Sequence, residues 1–377
     1  MKIAEREAAA SGPARHLYAH FPFCRSKCAY CALFSEAGSG EALRRGYANA
    51  VARRLALLPV APDTVYFGGG TPAISFPEVA CAPLANSAVR EFSIELNPAD
   101  VVPGRASSLL EAGFNRASLG VQSFNERTLS AMGRVHSARD AENAFRILRK
   151  EGFGNAGVDL IAGWPGETPE EWRETAERAV ALAPDHISAY SLIRERGTRL
   201  DAELSAAGAA LDDSAALDRI AEAAGIFGRA GYVRYEVSNW CRPGRECAYN
   251  LAVWRGEDYA GIGAGASSRE GLRRRMVARS AEAFASGGDD AFDEDETVSP
   301  LDDAVSREIF RLRLAEGLNV DEAAARRPVL LQIAGEWKRE LDEAVRLGLL
   351  GKSPGGAYCA TPRGFEVLDS ILASLVP

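Results

Sequence analysis

Between about residue 15 and residue 195, short β-prone apolar runs alternate with longer amphipathic stretches. The runs at 16–21, 64–67, 91–95, 116–119, 157–160 and 186–190 are predicted strands. Several are nearly continuous apolar runs, as expected of a parallel sheet covered on both faces. Helices are predicted near 41–57, 76–88, 105–112, 138–151 and 169–182. This pattern predicts an α/β fold with six βα steps, a (β/α)6 arc short of a closed eight-stranded barrel. Unusual segments sit where the strands end: a cysteine cluster, GGGTP, ELNP, GVQSF, DLIAGWPGET and YSLI. Ligands collect at the C-terminal ends of parallel strands, so these six segments are expected to meet at one rim.

Beyond residue 200 the pattern changes. A helical stretch at 209–229 leads to YVRYEVSNW and the glycine-rich DYAGIGAGASS, and the acidic run GGDDAFDEDETVSP separates these from a tail with helices near 301–314 and 329–347. The last 30 residues read as a hairpin or wing turning at Gly355 and Gly356, then a helix. The expected division is a partial barrel at 1–200, a barrel extension and ligand-covering region at 201–290, and a C-terminal α-rich, winged-helix-like domain at 291–377.

Charge changes the reading of that tail. The chain of 377 residues is 47% hydrophobic, enough for one large core or two, and carries 44 Lys and Arg against 52 Asp and Glu, a net charge of -8. No global positive field favours nucleic acid or anionic lipid, and with no basic helix the winged tail is expected to pack against the barrel. Arg273, Arg274 and Arg275 read as a solvated turn or helix edge. No stretch reaches the roughly 18 uninterrupted apolar residues of a membrane span, and no apolar run follows the basic start, so a cytoplasmic location is expected.

Of seven cysteines, three crowd into CRSKCAYC, as Cys24, Cys28 and Cys31. Such uneven usage fits a metal site in a reducing compartment. Three thiolates on a tight loop can hold three irons of a cubane cluster and leave the fourth open. Zinc is the rival, although structural zinc normally takes four protein ligands and no second CxxC pair is present. Three buried core cysteines fit poorly with Arg25 and Lys27 between them. Gly68, Gly69 and Gly70, followed by Thr71, free the backbone to approach a ligand, or form a simple turn. Glu95 ends a strand where it can accept bonds from an ammonium or hydroxyl, or neighbour a helix cap. Gln122, Arg134 and Asp159 supply an amide, a guanidinium and a carboxylate, suited to a zwitterionic ligand or to an internal network.

The stretch LYAHFPFCRSKCAYC resembles the opening of the radical S-adenosylmethionine (SAM) family related to oxygen-independent coproporphyrinogen III oxidase, especially its haem-chaperone-like branch. The likeness continues through YFGGGTP, IELNP, RASLGVQSF, MGRVH, GVDLIAGWPGET, HISAYSL, YEVSNW and GIGAGA. It implies a [4Fe–4S] cluster on Cys24, Cys28 and Cys31, with SAM on the open iron and cleaved reductively to methionine and a 5'-deoxyadenosyl radical. By the same resemblance Tyr18, Tyr30, Gly68, Gly69, Gly70, Thr71, Glu95 and Ile193 contact SAM, and Gln122, Arg134 and Asp159 match residues that contact a second SAM in the oxidase. Implied partners are a flavodoxin or ferredoxin reductant, a tetrapyrrole or small aromatic substrate, and a haem-acceptor protein.

Two positions depart from the family pattern. The oxidase has a further cysteine where this chain has Leu33, which argues against that activity. The haem-chaperone branch carries HNxxYW, whereas Tyr249 here replaces the histidine, leaving Tyr249 and then Cys247 as candidate haem ligands. Of the histidines, His16, His20, His136 and His186 read as core or hydrogen-bonded groups, with His20 a candidate support for the cysteine loop. The expected function is a radical SAM protein in haem trafficking or porphyrin metabolism. The alternative is a SAM-dependent methyltransferase or other radical modification of an aromatic substrate.

Overall fold

The computed structural model describes residues 12–85, 87–288 and 291–377. Six parallel strands, β1 (His16–Phe21), β2 (Thr64–Gly69), β3 (Glu91–Leu96), β4 (Arg116–Gln122), β5 (Ala156–Ala162) and β6 (His186–Ser191), lie side by side in chain order. They coincide with the six predicted strands, most running a residue or two further. Beyond β6 the sheet continues antiparallel through β7 (Val233–Glu236) and β8 (Asn239–Cys241), with β8 next to β6. On the other side β9 (Tyr259–Ile262) runs parallel to β1, followed by antiparallel β10 (Ser267–Glu270), β11 (Arg273–Val277) and β12 (Phe292–Thr297). The order is β12-β11-β10-β9-β1-β2-β3-β4-β5-β6-β8-β7, and its two ends do not pair. This is the open arc expected from six βα steps.

The sheet is more amphipathic than its apolar runs imply. Leu17, Ala19, Phe21, Val65, Phe67, Phe92, Ile94, Ala117, Leu119, Val158, Leu160 and Ile187 alternate along the strands and join one buried core. Val51, Leu55, Leu109, Phe145 and Trp172 from the flanking helices complete it. Each large apolar side chain so buried contributes about 1.5–3 kcal/mol. The intervening positions carry His16, Tyr18, His20, Tyr66, Glu95, Arg116, Ser118, Asp159, His186 and Ser188. Successive strand residues point to opposite faces, so this set lines the face the sheet curves around.

The helices between the strands of the arc hold with one correction, and those predicted over 301–314 and 329–347 are shorter, Pro300–Ile309 and Ala334–Arg346, each flanked by a 3-10 turn. Ala138–Glu151 and Pro169–Ala181 begin at capping boxes on Ser137 and Thr168, which satisfy backbone N–H groups that have no partner within the helix. The helix predicted over 76–88 stops early. It is helical over Pro77–Cys81 and becomes a 3-10 turn over Ala82–Leu84, because Pro83 cannot continue the hydrogen-bond ladder.

The triple arginine is not a turn or helix edge. It forms most of β11, and the acidic run is its neighbouring strand β12, so the sheet reaches past residue 290. Arg273 pairs with Asp295 at 2.6 Å, Arg274 with Asp303, and Arg275 with Glu270. A second core of Val305, Leu312, Leu318, Trp337, Leu341, Tyr358 and Leu372 organises the tail, with a hairpin of Leu350–Lys352 and Tyr358–Ala360. Buried Arg307 fixes the tail to the sheet, donating to Asp303 at 2.8 Å, Asp258 at 2.5 Å and the Gly256 carbonyl at 2.6 Å. No helix among the described residues is long and apolar enough to cross a membrane.

Candidate functional site

The cysteine loop leaves β1 and is tied down on every side. Residues Phe23–Cys24 pair with Glu36–Ala37, closing the loop on itself. Ala29 N–H donates to the Met132 carbonyl at 2.9 Å, and Leu200 N–H to the Ala29 carbonyl at 2.8 Å. Thr71 N–H donates to the Phe23 carbonyl at 2.7 Å. A Cβ on Gly70 would lie 2.7 Å from that same carbonyl, and one on Gly69, whose φ is +109°, would lie 2.6 Å from the His20 ring. The glycines therefore serve close backbone approach. His20 supports the loop: its Nε2 donates to the Phe34 carbonyl at 2.8 Å, while Nδ1 lies 3.0 Å from the Tyr18 hydroxyl. Burial lowers its pKa, keeping the ring neutral.

The three cysteines line a cavity of about 290 Å3 whose wall also includes Tyr30, Gly69, Gly70, Thr71, Glu95, Gln122, Arg134 and Asp159. Burial raises the Cys24 and Cys31 pKa values, and the neighbouring cysteines add to the rise. Arg134 donates to Cys28 Sγ at 3.3 Å and to the Gly120 carbonyl at 2.7 Å. Gly120 leaves room for the Gln122 amide beside Arg134, since a Cβ there would lie 2.9 Å from the Gln122 nitrogen and 3.5 Å from the Arg134 guanidinium. Gln122 itself has φ +68° where the β4–β5 register slips. Glu95 accepts from Gly69 N–H and the Tyr66 hydroxyl, each at 3.0 Å, and burial followed by repulsion from Asp159 pushes its carboxyl up to about 7. Asp159 accepts from the Ser118 hydroxyl at 3.0 Å; its pKa is raised by burial.

A second cavity, of about 570 Å3, adjoins the first, and Leu33, Tyr190 and Asn250 line both. Its walls carry Tyr18, Phe34, Tyr249, Trp254 and Tyr259, with Glu236 and Arg313 as charged groups. The Tyr249 ring lies 5.4 Å from Tyr66 and 6.3 Å from Tyr18. Buried Glu91 sets this arrangement by accepting Ala248 N–H at 2.9 Å and Tyr249 N–H at 3.2 Å, satisfying the start of helix Ala248–Trp254.

Three of the expected SAM contacts and both candidate haem ligands stand apart from the cysteine cavity. Tyr18 faces the aromatic cavity instead, because it lies on β1 two residues before His20. Gly68 is buried behind the wall, where a Cβ would lie 3.0 Å from both Glu95 and Tyr18. Ile193 lies past the end of β6, 66% exposed, and lines neither cavity. Cys247 is fully buried, with Sγ 3.4 Å from Glu91, and faces neither cavity. Only Tyr249 of the two candidate haem ligands therefore faces the aromatic space. Arg116, Ser118 and Ser188 line the first cavity without having been singled out, and so does His186, read from the sequence only as a core or hydrogen-bonded group. Their signal was the polar member of each alternating pair inside otherwise apolar strands.

A family model described as the radical SAM superfamily matches residues 18–179. The heme chaperone HemW of Mycobacterium tuberculosis (strain CDC 1551 / Oshkosh) is 32% identical, covering 96% of this chain and 94% of its own. HemW of Escherichia coli (strain K12) is 34% identical over 68% and 70% of the two chains. The radical S-adenosyl methionine domain-containing protein 1, mitochondrial, of Mus musculus is 30% identical over 96% and 87%. The solved structure of coproporphyrinogen III oxidase (HemN) from Escherichia coli superimposes with a TM-score of 0.79 over 99% of this chain and 93% of that one, at 21% identity, a likeness of fold.

Proposed function

Because this chain belongs to the radical SAM superfamily and is homologous over nearly its whole length to heme chaperone HemW, we propose that it is a [4Fe–4S] protein that binds and cleaves SAM and carries haem. The observation behind this reading is the joining of a three-thiol polar cavity to an aromatic one through Leu33, Tyr190 and Asn250.

The donor set fits a cubane. Cys24, Cys28 and Cys31 supply soft sulfur ligands, and because burial raises the pKa of Cys24 and of Cys31, bound metal would favour those two as thiolates. Among the described residues no three His, Cys, Asp or Glu side chains converge to hold one metal ion. A cubane takes one thiolate at each of three irons and requires no such convergence. When bound, the reduced cluster supplies an electron to the SAM sulfonium, and a flavodoxin or ferredoxin is the proposed reductant.

Around it, the chain's own residues bind and orient. The N–H groups of Gly69, Gly70 and Thr71 are already bonded to Glu95 and to the Phe21 and Phe23 carbonyls, so this turn would meet the amino-acid end of SAM through carbonyl oxygen, as acceptor for the ammonium. Glu95 and Asp159 accept hydrogen bonds, Arg134 and Gln122 donate them, and Tyr30 offers a ring face to the adenine. Leu33 brings no sulfur to the junction, which favours the chaperone-like role over the oxidase reaction. In the aromatic cavity Tyr249 is the proposed haem ligand. Burial raises its phenol pKa, so ferric iron would have to displace the proton.

Anaerobic reconstitution followed by iron and sulfide analysis, electron paramagnetic resonance with and without SAM, and haem titration test the reading. The expected results are about one cubane per chain, a SAM-dependent spectral change, 5'-deoxyadenosine under reductant, and saturable haem binding altered in Tyr249→Phe. Stoichiometric zinc with no iron–sulfur signal would overturn the cluster. An intact cluster with no saturable haem binding would overturn the haem role, leaving SAM-dependent modification of an aromatic substrate.

A further inference from the structure

Arg313 belongs to the C-terminal region, on the 3-10 turn Phe310–Arg313, yet it lines the aromatic cavity. Its guanidinium lies 5.0 Å from the centre of the Trp254 ring and 5.6 Å from that of Phe310, which fixes its plane against the cavity wall. One nitrogen donates to Asp369 at 2.6 Å. That carboxylate is 85% exposed while Arg313 is 21% exposed, so the pair is solvated at one end and enclosed at the other. The Arg313 Nε–H is buried without a hydrogen-bond partner. That nitrogen is sealed from the cavity, so a ligand carboxylate would meet the guanidinium at its terminal nitrogens, where the planar fork presents its donors.

The cavity itself restricts the ligand. Its volume of about 570 Å3 is well beyond the roughly 150 Å3 that accepts a single benzene ring. Tyr18, Phe34, Tyr249, Trp254 and Tyr259 offer ring faces and edges to something flat and large. Glu236, the other charged residue on the wall, accepts Ser238 N–H at 3.0 Å, and burial pushes its carboxyl up to about 7, so it repels an anion weakly near neutral pH.

We propose that Arg313 is a carboxylate anchor for a flat conjugated macrocycle in the aromatic cavity, so that the C-terminal region contributes directly to ligand recognition. The assignment rests on the haem reading above and identifies which edge of the ligand the protein reads. The propionate edge faces Arg313 and the macrocycle lies among the aromatic rings.

Cluster-reconstituted protein is titrated with haem and with haem dimethyl ester, which keeps the macrocycle and iron but blocks both carboxylates. Wild type should bind the free acid about tenfold more tightly, the scale of one charge-assisted hydrogen bond. Arg313→Gln should bring that ratio near one while cluster content and the SAM-dependent spectrum stay at wild-type levels. Asp369→Asn frees the fork from its internal partner and should raise the ratio about twofold to threefold, a change in the opposite direction that a folding defect would not give. Equal binding of acid and ester by wild type, or an undiminished ratio in Arg313→Gln, overturns the anchor and leaves the haem reading standing. No saturable binding of either probe by wild type overturns both.

Discussion

The cysteine cavity and the aromatic cavity share a wall but are assembled differently. The first takes its residues from the ends and inner faces of consecutive parallel strands, β1 to β6, and from the loops that follow them. The second gathers Tyr18 from β1, Tyr249 and Trp254 from one helix, Tyr259 from β9 and Arg313 from the C-terminal region. Apart from Asn250, which lies on the same helix as Tyr249 and lines both, pairing of the parallel strands is enough to form the first. The second also requires the tail to dock, so the two should respond separately to perturbation.

The largest expected separation comes from the motif cysteines. Cys24→Ala, Cys28→Ala or Cys31→Ala should abolish the cubane signal, since no other thiol among the described residues lines that cavity, while haem titration still saturates. Cys81→Ala and Cys359→Ala should leave the cluster intact. Retention of the cubane in any motif-cysteine variant would break the ligand assignment.

Next is the docking ion cluster. Arg307→Ala leaves Asp258 without its buried partner and Asp303 with Arg274 in its place, and should cost about 3 kcal/mol in urea unfolding. Haem binding should weaken, whereas cluster content should not. Equal loss of both would mean that the two cavities fold as one unit.

A third separation uses pH. Burial pushes Glu95 and Glu236 up to about 7, one carboxyl in each cavity. Between their ordinary value near 4.5 and 7 the folded protein retains protons that the unfolded chain releases. Stability is therefore full below about pH 4.5 and falls as pH rises to about 7, by about 3 kcal/mol per group. Urea unfolding of cluster-free protein should show a shallower decline in both Glu95→Gln and Glu236→Gln. After reconstitution, only Glu95→Gln should alter the SAM-dependent spectrum. An unchanged slope in both variants would refute the buried carboxyls as its source.

The smallest effect is expected at Arg25, which donates to Asp100 at 2.6 Å from the cysteine loop but is 58% exposed. Arg25→Ala should change stability by about 1 kcal/mol or less and leave the cluster in place, as judged by iron content. Loss of iron would show that the loop depends on this pair more than on its backbone ties.

Local chemistry in the sequence determined much of this protein. Strand positions followed from apolar runs, helix positions from the amphipathic stretches between them, and the cysteine cavity from motifs at strand ends, because pairing parallel strands in order brings those ends to one rim. The winged hairpin was legible from Gly355 and Gly356, where Gly356 has φ +81°. Tertiary structure decided the rest. The acidic run and triple arginine look like solvated charge in one dimension, and become adjacent strands only when the β11–β12 register sets Arg273 beside Asp295. Cys247 and Tyr249 are two residues apart and both were candidate donors in sequence, Tyr249 ahead of Cys247, yet only the fold separates them: Glu91 holds Cys247 in the core while Tyr249 turns to the cavity. Arg313 carried no local signal at all. Its place beside Trp254 depends on how the tail docks, and contacts between segments so far apart are fixed by the packing of whole surfaces rather than by any neighbouring residue.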